Sequence, residues 1–382
     1  MIQMNRLPRI LFGRGSCQQV GSVVRNELER QNAIVICDPA VRDNSQVVAL
    51  LDSLSAAGVA FSVCERVVPD PPYAVVDEIG QAARQDQCDV VIGIGGGSAL
   101  DTAKGVAIAA TTGVPLITFA GVDKVPGRRL SLVLVPSTAG TGSEATNVAV
   151  FSDHEHNKSG VVSSHIVPDA AMLEPDILRG LPPSVIAITG LDAMAHAMES
   201  FVGVYNSFLT EPFALTALRY VAQYLRRAYT DPEDDTAREH MLRASLLGGI
   251  AFTNTQTGGA HACAMPLGTR AKLAHGEAVT LMLPAVMRFN LPAATDRYAV
   301  IAETFDCANS SMDVEQAACR AIDYVETLAT ELGVAFGLAN HGITHRDIDR
   351  LADLSAGNAR IWINNPRQPT LEEIKQIYLD AL

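Results

Sequence analysis

Short apolar runs alternate with helical patterns over about the first 180 residues of the chain. Residues 16–31 and 72–87 have helical patterns, and the second repeats apolar positions three and four residues apart. Four nearly unbroken apolar runs predict strands at 33–38, 60–67, 89–98 and 131–138. Because apolar strands that alternate with helices are buried on both faces, this half predicts an α/β domain with a Rossmann-like parallel sheet.

The pattern changes after residue 180 to long segments rich in alanine and leucine. These segments predict helices at 182–203, 211–229, 236–252, 275–290 and 313–333. The paired prolines Pro182 and Pro183 fit a helix start. We therefore predict two domains, an α/β domain over residues 1–180 and an all-helical domain over residues 181–382, as suits a chain of 382 residues.

A glycine-rich loop, GIGGGSALDTAK, follows the third predicted strand and opens a helical stretch. Bare backbone amides in such a loop can approach a pyrophosphate, and the N-terminus of the next helix adds a favourable dipole. The candidate phosphate-binding residues are Gly95, Gly96, Gly97 and Ser98. The spacing differs from the usual dinucleotide-binding fingerprint, so a tight turn is the alternative interpretation.

Two further features favour a dinucleotide. The stretch PSTAGTGSEAT at 136–146 follows the next predicted strand and offers hydroxyl groups at Ser137, Thr138, Thr141 and Ser143. Asp38 ends the first predicted strand, where a carboxylate can accept hydrogen bonds from a ribose diol and would repel a 2'-phosphate. Asp38 therefore favours NAD over NADP, although an ordinary turn aspartate before proline explains it equally well.

Four side chains of the helical half are candidate ligands of one divalent metal ion. Asp192 and His196 are four residues apart, which places them on one face of a helix. Such a pair alone is more often structural, but His261 and His275 add two imidazoles in apolar surroundings where unpaired polar groups would be costly. One carboxylate and three imidazoles suit Fe(II) and Zn(II) alike, with Mn(II), Co(II) or Ni(II) as further possibilities.

Charge and cysteine content restrict the class of protein. A formal net charge of -13 opposes binding to nucleic acid. The sequence contains no run of about eighteen apolar residues, and its start lacks the features of a secretory signal, so we expect a cytoplasmic protein without a membrane partner. Seven scattered cysteines fit a reducing cytosol. Cys263, two residues from His261, is interpreted as a buried small residue, with a reactive or metal-binding thiolate as the alternative.

The motifs GIGGGSALDTAKG, VPSTAGTGSEAT, GLDAMAHAMESFV and GGAHACAMPLG…AHGEAV, in this order, resemble the iron-dependent alcohol dehydrogenase family. The resemblance extends to the C-terminal NNPRQPTLEEIKQIYLDAL. It implies the dehydroquinate synthase-like fold of that family, with NAD and one divalent ion, Fe(II) or Zn(II), as cofactors. The metal ligands it implies are Asp192, His196, His261 and His275. The cofactor-binding residues it implies are Asp38, Gly95, Gly96, Gly97, Ser98, Asp101, Thr138, Thr141 and Ser143.

The chain departs from the family pattern between its last two predicted ligands. Many members carry a further histidine four positions after the third ligand, where this chain has Met265, so proton exchange must use water, a cofactor hydroxyl or another side chain. Arg270 and Lys272 could pair with an anionic substrate group, or could belong to a solvated loop. Glu277 could support the ligand His275, or could be an exposed residue at a helix start.

The predicted function is reversible hydride transfer between NAD(H) and a small primary alcohol or aldehyde, assisted by the metal ion. Three alternatives stay open. The first is a reductase of an anionic aldehyde or keto acid, of the maleylacetate, phosphonoacetaldehyde or 4-hydroxybutyrate type. The second is a lyase-type reaction of the dehydroquinate synthase kind, and the third is a catalytically silent nucleotide-binding protein. We expect a small-molecule substrate and a homodimer or higher homo-oligomer.

Overall fold

The computed structural model of the protein describes residues 4–127, 129–155 and 157–382. The contacts among residues divide the chain into two compact units. The sheet unit comprises Asn5–Thr138 and Gly142–Arg179. The helical unit comprises Gly180–Leu382 with the short segment Ala139–Thr141 and, at the N-terminus, Met4. The predicted fold class, an α/β part with a parallel sheet and an all-helical part, is confirmed.

The sheet unit holds all the strands found in the described residues. The strands are β1 (Arg9–Phe12), β2 (Asn32–Cys37), β3 (Ala60–Cys64), β4 (Val90–Gly95), β5 (Gly121–Val122), β6 (Ser131–Pro136), β7 (Val148–Ser152), β8 (Lys158–Val162) and β9 (Ala170–Leu173). The helices of this unit are α1 (Val20–Ser22), α2 (Ser45–Ala56), α3 (Tyr73–Gln85) and α4 (Gly97–Thr112). The main sheet is parallel, in the order β1-β9-β6-β4-β2-β3, and β5, β8 and β7 form a smaller sheet.

The core of the sheet unit lies around the central strands β2, β4 and β6. Every residue of β4 is buried, as expected for a strand that is covered on both faces. Val76 of α3 and Leu100 of α4 pack with Ile34 and Leu134 of the sheet in one apolar cluster. The parallel arrangement brings the carboxyl ends of β2, β4 and β6 to the same edge, so the loops after these strands begin side by side.

The structure corrects several predicted elements of the sheet unit. Residues 16–31 were expected to form a helix, but only α1 is α-helical there, between a 3-10 turn at Cys17–Gln19 and a π-helical turn at Val23–Glu27. The amide of Gly21 donates to Ser53 Oγ of α2 at 3.0 Å, a tertiary hydrogen bond that local periodicity does not report. Predicted strand ends were also too long, since β3 stops at Cys64 and β4 stops at Gly95.

The helical unit contains only helices and connecting segments within the described residues. Its α-helices are α5 (Pro183–Val202), α6 (Glu211–Thr230), α7 (Asp235–Thr255), α8 (Gly259–Ala271), α9 (His275–Thr304), α10 (Val314–Glu331), α11 (Ile348–Ala356), α12 (Ala359–Trp362) and α13 (Leu371–Asp380). The last of the prolines in α9, Pro292, precedes a break in helical geometry at Ala294, where the helix kinks.

Helix α5 is the centre of the helical unit and packs against α6, α7 and α9. It is the one helix in the described part of the chain whose length and apolar character would allow it to cross a membrane, with a mean hydropathy of 1.3. However, 83% of that apolar stretch is buried inside the protein, as is usual for a core helix. Polar groups on α5, among them Asp192 and His196, are consequently held away from water.

Candidate active site

The four predicted metal ligands come from three helices of the helical unit. Asp192 and His196 lie one turn apart on α5, His261 lies in the first turn of α8, and His275 is the first residue of α9. Asp192, His196 and His261 are buried, whereas the side chain of His275 is 41% exposed. The cluster is therefore reached from the side on which His275 lies.

Ligand atoms of Asp192, His261 and His275 converge at distances that suit a shared ion, and His196 Nδ1 approaches the other carboxylate oxygen of Asp192. Asp192 Oδ1 lies 3.7 Å from His261 Nε2 and 3.9 Å from His275 Nε2, and Asp192 Oδ2 lies 3.8 Å from His196 Nδ1. These distances are too long for hydrogen bonds. Bonds of about 2 Å to one ion bring ligand atoms to within about 4 Å of each other, so an ion can bridge each pair. Asp192, His261 and His275 also form a recognisable group whose ligand atoms all lie within 4.8 Å of one another.

Three of these buried atoms have no protein partner. Asp192 Oδ1, His196 Nδ1 and His261 Nε2 make no hydrogen bond to any residue of the described part of the chain. A buried polar atom without a partner costs roughly 1–3 kcal/mol, so such atoms are rare unless a ligand satisfies them. The three atoms, with the carboxylate and imidazole chemistry that divalent metals prefer, fit a metal ion.

The ring of His196 stacks against two neighbouring rings. Its ring lies 4.4 Å from the ring of Phe252 on α7 and 4.6 Å from the ring of His261. Burial lowers the pKa of His196 well below its ordinary value, and the neighbouring His261 lowers it further. His196 is therefore neutral at physiological pH, the protonation state in which an imidazole nitrogen binds a metal.

The structure adds Glu199, a residue that the sequence analysis did not single out. Glu199 Oε2 lies 2.5 Å from His261 Nδ1, and both side chains are buried. Burial alone would raise the pKa of Glu199, but the charge of His261 and hydrogen bonds from His261 and two backbone amides lower it below its ordinary value. Glu199 follows His196 by three positions on α5, so the helical spacing that joins Asp192 to His196 also contained a signal for Glu199.

The pKa values of Asp192 and His261 are both raised above their ordinary values. Burial raises the pKa of Asp192, although His275 and His261 lower it in part. Burial would lower the pKa of His261, but the charge and the hydrogen bond of Glu199, with Asp192, raise it. An imidazole binds a metal through an unprotonated nitrogen, so protons compete with the ion for His261 Nε2 and metal binding weakens at low pH.

The N-terminus of α8 is tightly packed beside His261. A side chain at Gly259 would place a Cβ 2.6 Å from Trp362 Cζ3 and 2.9 Å from Val286 Cγ1, so only glycine fits there. The amide of Gly259 donates to Asn365 Oδ1 at 3.1 Å. Residues from the C-terminal part of the chain thus surround the start of the helix that carries His261.

The glycine loop of the sheet unit lies where β4 meets α4. Gly95 has φ +147°, and a Cβ there would lie 2.7 Å from the Cβ of Asp38 and 2.6 Å from that of Ala99. Gly96 precedes the first turn of α4, and a Cβ at Gly96 would lie 3.5 Å from Thr138 Cγ2. Asp38, the glycine loop and Thr138 are thus brought together at the carboxyl ends of three parallel strands, with Gly97 and Ser98 in the first turn of α4.

Asp38 also has a local structural role. Its Oδ1 accepts a hydrogen bond of 3.0 Å from the amide of Ala40, which caps the short helical turn at Pro39–Val41. Asp38 Oδ2 lies 3.5 Å from the position of a Cβ on Gly95 and therefore borders the glycine loop. Both interpretations offered by the sequence, a turn aspartate and a carboxylate beside a nucleotide site, are compatible with this geometry.

Asp101 and Ser143, which were predicted to contact the cofactor, form hydrogen bonds within the protein. Asp101 Oδ1 accepts from Ser143 Oγ at 2.8 Å, and Asp101 Oδ2 accepts from the amide of Val150 at 2.8 Å. Lys104 Nζ donates to Ser143 Oγ at 2.8 Å and to Thr146 Oγ1 at 2.9 Å. These bonds fasten the loop at residues 136–146, the second polar loop, to α4. The predicted contact of Asp101 and Ser143 with a cofactor stays a prediction. The remaining loop candidate, Thr141, is half-buried and belongs to the segment that clusters with the helical unit.

The predicted substrate contacts lie along and after α8. Met265 follows His261 by one turn and is half-buried. Arg270 is exposed and donates to Asp347 Oδ1 at 2.8 Å, so its charge is already paired. Lys272 ends α8 in a left-handed conformation, is exposed, and has no ion-pair partner in the part of the chain that is described. Glu277 is partly exposed, with Oε1 3.9 Å from His341 Nδ1.

Cys263 behaves as a buried structural residue. It is fully buried, Ser355 Oγ approaches its sulfur at 3.5 Å, and Tyr378 donates to its backbone carbonyl at 2.7 Å. Burial raises the pKa of the Cys263 thiol to about 12. A thiol in this state is neither a nucleophile nor a metal ligand at neutral pH.

Comparison with known proteins places the whole chain in one family. The family model for iron-containing alcohol dehydrogenase matches residues 8–175, and the model for the C-terminal part of the Fe-containing alcohol dehydrogenase family matches residues 186–382. The chain is 33% identical to sulfoacetaldehyde reductase of Bilophila wadsworthia (strain 3_1_6), over 96% of this chain and 95% of that protein. It is 32% identical to NAD-dependent methanol dehydrogenase of Bacillus methanolicus, over 98% of each.

A solved structure agrees with these relatives. The crystal structure of a 1,3-propanediol oxidoreductase superposes with a TM-score of 0.96 at 31% identity and covers 100% of both chains. The family models, the relatives and the fold therefore indicate the same family. The chain is an oxidoreductase of the iron-containing alcohol dehydrogenase family.

Proposed function

We propose that the protein is a metal- and NAD(H)-dependent alcohol dehydrogenase that interconverts a small primary alcohol and its aldehyde. The observation that carries the proposal is the cluster of three buried, partnerless ligand atoms on Asp192, His196 and His261, beside His275. A metal ion bound there would act as a Lewis acid on the substrate oxygen, and the nicotinamide would accept or donate the hydride. Fe(II) and Zn(II) are the proposed ions.

The chain's own residues have separate tasks in this proposal. Asp192, His196, His261 and His275 hold the ion. Their apolar surroundings on α5 keep competing water away from the buried side of the cluster. The glycine loop and Asp38 bind the pyrophosphate and the ribose of NAD, and the carboxylate of Asp38 disfavours NADP.

A second candidate substrate class is an anionic aldehyde. The relative from Bilophila wadsworthia is a sulfoacetaldehyde reductase by name, so one close relative acts on a sulfonate. Of the two cations that the sequence offered, Arg270 is paired with Asp347 and Lys272 is exposed. Lys272 is therefore the better candidate for an anionic substrate group, and the neutral substrate remains our first proposal.

The decisive assay compares substrates and cofactors in one experiment. The purified chain, loaded with Fe(II) or Zn(II), is assayed with neutral and anionic alcohols and aldehydes in the presence of NAD(H) or NADP(H). We expect turnover with NAD(H) and one bound ion per chain. Turnover only with anionic aldehydes would select the second candidate, and absence of turnover with all substrates would refute both.

The variant His261→Ala tests the site itself. It removes the Nε2 atom that faces Asp192, so we expect loss of both the bound ion and the activity. Metal content by elemental analysis and initial rates are the two measurements. His345→Ala is the matched control, because it makes the same substitution at an exposed histidine of the helical unit. A His261→Ala protein that keeps its metal and its rate would contradict the site assignment.

A further inference from the structure

We propose that Glu199 is a positioning residue, which holds His261 in the tautomer and orientation that leave its Nε2 open to the metal ion. The inference rests on the proposed metal site and concerns how the protein prepares that site. Three observations carry it: the contact between Glu199 and the His261 ring, the contacts between Glu199 and the start of α8, and a separate cap from Asn365 that permits a control.

The first observation is that the two nitrogens of the His261 ring have different neighbours. His261 Nδ1 lies 2.5 Å from Glu199 Oε2, whereas Nε2 lies 3.7 Å from Asp192 Oδ1 and has no hydrogen-bond partner among the described residues. An ionised carboxylate only accepts hydrogen bonds, so Nδ1 must carry the hydrogen. In the neutral ring the lone pair is then on Nε2, where a ligand atom is needed.

The second observation is that the same carboxylate fixes the backbone around His261. Glu199 Oε2 accepts from the amide of Gly258 at 2.8 Å, and Oε1 accepts from the amide of Ala260 at 2.7 Å. The first amides of a helix lack carbonyl partners, and the residue before α8, Gly258, has no side chain with which to cap them. Glu199 of α5 therefore caps the N-terminus of α8. One buried carboxylate thus holds both the orientation of the His261 ring and the start of the helix that carries it.

The third observation separates these two effects. Asn365 Oδ1 accepts from the amide of Gly259 at 3.1 Å and from Asn290 Nδ2 at 3.0 Å. The side-chain nitrogen of Asn365 donates to Asn290 Oδ1 and to the carbonyl of Arg367. Asn365 is buried and caps the same helix end, but its side-chain hydrogen bonds do not reach the His261 ring. A variant at Asn365 therefore disturbs the helix start without changing the imidazole partner.

The substitution Glu199→Gln distinguishes positioning from packing. Glutamine has nearly the same shape, and its oxygen can still accept a hydrogen bond from a backbone amide. Its NH2 group cannot accept one. If that NH2 group faces His261 Nδ1, the ring must place its hydrogen on Nε2, where it blocks the metal. If it takes the place of Oε1 instead, the amides of Ala260 and His261 lose the oxygen that accepts their hydrogen bonds.

The experiment measures cobalt(II) binding to the full chain by competition with a chelator, together with the visible absorption of the bound ion. We expect E199Q to lower the cobalt affinity by about 10- to 100-fold and to shift the absorption bands. We expect Asn365→Ala to melt at a lower temperature than the wild type while its absorption bands and cobalt affinity stay close to those of the wild type.

Two results would overturn the inference. One is an E199Q protein with the affinity and the spectrum of the wild type. The other is an equal loss of affinity in E199Q and Asn365→Ala with both spectra unchanged, because helix capping alone would then explain it. If E199Q does not purify as a folded protein, Glu199→Asp replaces it. Its carboxylate is one methylene shorter and cannot reach both the ring and the amides, so wild-type binding by that variant would also overturn the inference.

The result with the wild type separates this inference from the proposed function. A wild-type chain that binds no cobalt would refute the metal site itself. A wild-type chain that binds one ion, together with an E199Q chain that binds it equally well, would refute only the role of Glu199.

Discussion

Asp192, His196 and His261 each bury a polar atom that would bind water in an unfolded chain. At roughly 1–3 kcal/mol for each partnerless atom, the cluster costs several kcal/mol in the absence of a ligand. A folded chain with a stability of about 5–15 kcal/mol keeps such a cost where function requires it. This free-energy cost indicates a binding site more specifically than the spacing of the residues, because the spacing does not reveal which polar atoms lack hydrogen bonds.

Asp38 is the residue from which we predict the choice of cofactor. Its carboxylate borders Gly95, and a 2'-phosphate near it would meet a like charge. We expect Asp38→Ala to raise kcat/KM for NADP(H) by about tenfold or more, since like charges brought together cost at least the roughly 1.4 kcal/mol that corresponds to tenfold. Initial rates with NADP(H) and NAD(H) measure the change.

The control for this prediction is Asp43→Ala, which removes an exposed carboxylate of the same unit. It should leave the preference between the two cofactors unchanged. If Asp38→Ala rejects NADP(H) as strongly as the wild type does, Asp38 is an ordinary turn residue and the cofactor preference has another origin.

At the scale of elements, α5 shows how much of the site could be predicted. Asp192, His196 and Glu199 occupy positions i, i+4 and i+7, which share one face of a helix. The sequence pattern identified the first two because a histidine is a common metal ligand. Glu199 was missed because its partners lie about sixty residues later in α8, and periodicity within one helix does not reveal them.

Other elements were missed because their signals are short or tertiary. Strands β1 and β9 have four residues each, too few for a period of two to stand out. They become strands because each pairs with a neighbour in the parallel sheet. Asp101 and Ser143 were interpreted as cofactor residues from their motifs. The hydrogen bond that joins them spans 42 positions of the chain, so no local sequence pattern reveals it.

Helix α4 holds the second polar loop through Lys104, which is fully buried. Lys104 Nζ donates to Ser143 Oγ, to Thr146 Oγ1 and to the carbonyl of Val148 at 2.7 Å. We expect Lys104→Met to lower the free energy of unfolding by about 3–5 kcal/mol, because buried Asp101 would lose the nearby charge of Lys104 and three oxygen atoms would lose their donor. Urea unfolding followed by circular dichroism measures it.

Lys124→Met serves as the control, because Lys124 is exposed and the substitution is chemically the same. Its unfolding free energy should stay close to that of the wild type. Equal unfolding curves for the Lys104→Met and Lys124→Met proteins would show that the buried ammonium does not secure the loop.

The whole molecule divides its candidate chemistry between its two units. The glycine loop and Asp38 belong to the sheet unit, and the four candidate metal ligands belong to the helical unit. Both units bury titratable groups, Glu144 in the sheet unit and Glu199 in the helical unit among them. Groups in both units therefore contribute to the pH dependence of the free energy of unfolding. The expected homodimer or higher oligomer and the cytoplasmic location stay predictions.

Glu144 leads to a prediction about pH. It is fully buried, and burial raises its pKa to about 7 against the lowering effects of its own backbone amide and of the Lys104 charge. Between the unfolded pKa of 4.5 and about 7, the folded chain therefore binds more protons than the unfolded chain. The contribution of Glu144 to the free energy of unfolding is fully present below its unfolded pKa. This contribution falls by on the order of 3 kcal/mol as the pH rises through the range.

Glu144→Gln should remove that fall, because its amide does not titrate. Unfolding free energies of both proteins at about pH 5 and about pH 7.5, from urea titrations, give the comparison. The exposed Glu315 supplies the control substitution Glu315→Gln. The prediction fails if the wild-type and Glu144→Gln proteins lose the same stability between the two pH values.

Trp362, which packs against Gly259, has a practical consequence. It is the only tryptophan of the chain, and its indole Nε1 donates to the carbonyl of Ser355 at 3.0 Å. Gly259 lies two residues before His261, so the only tryptophan, on α12, packs against the start of the helix that carries a candidate ligand. Its emission reports on the helical unit alone and offers a label-free optical signal for the arrival of an ion.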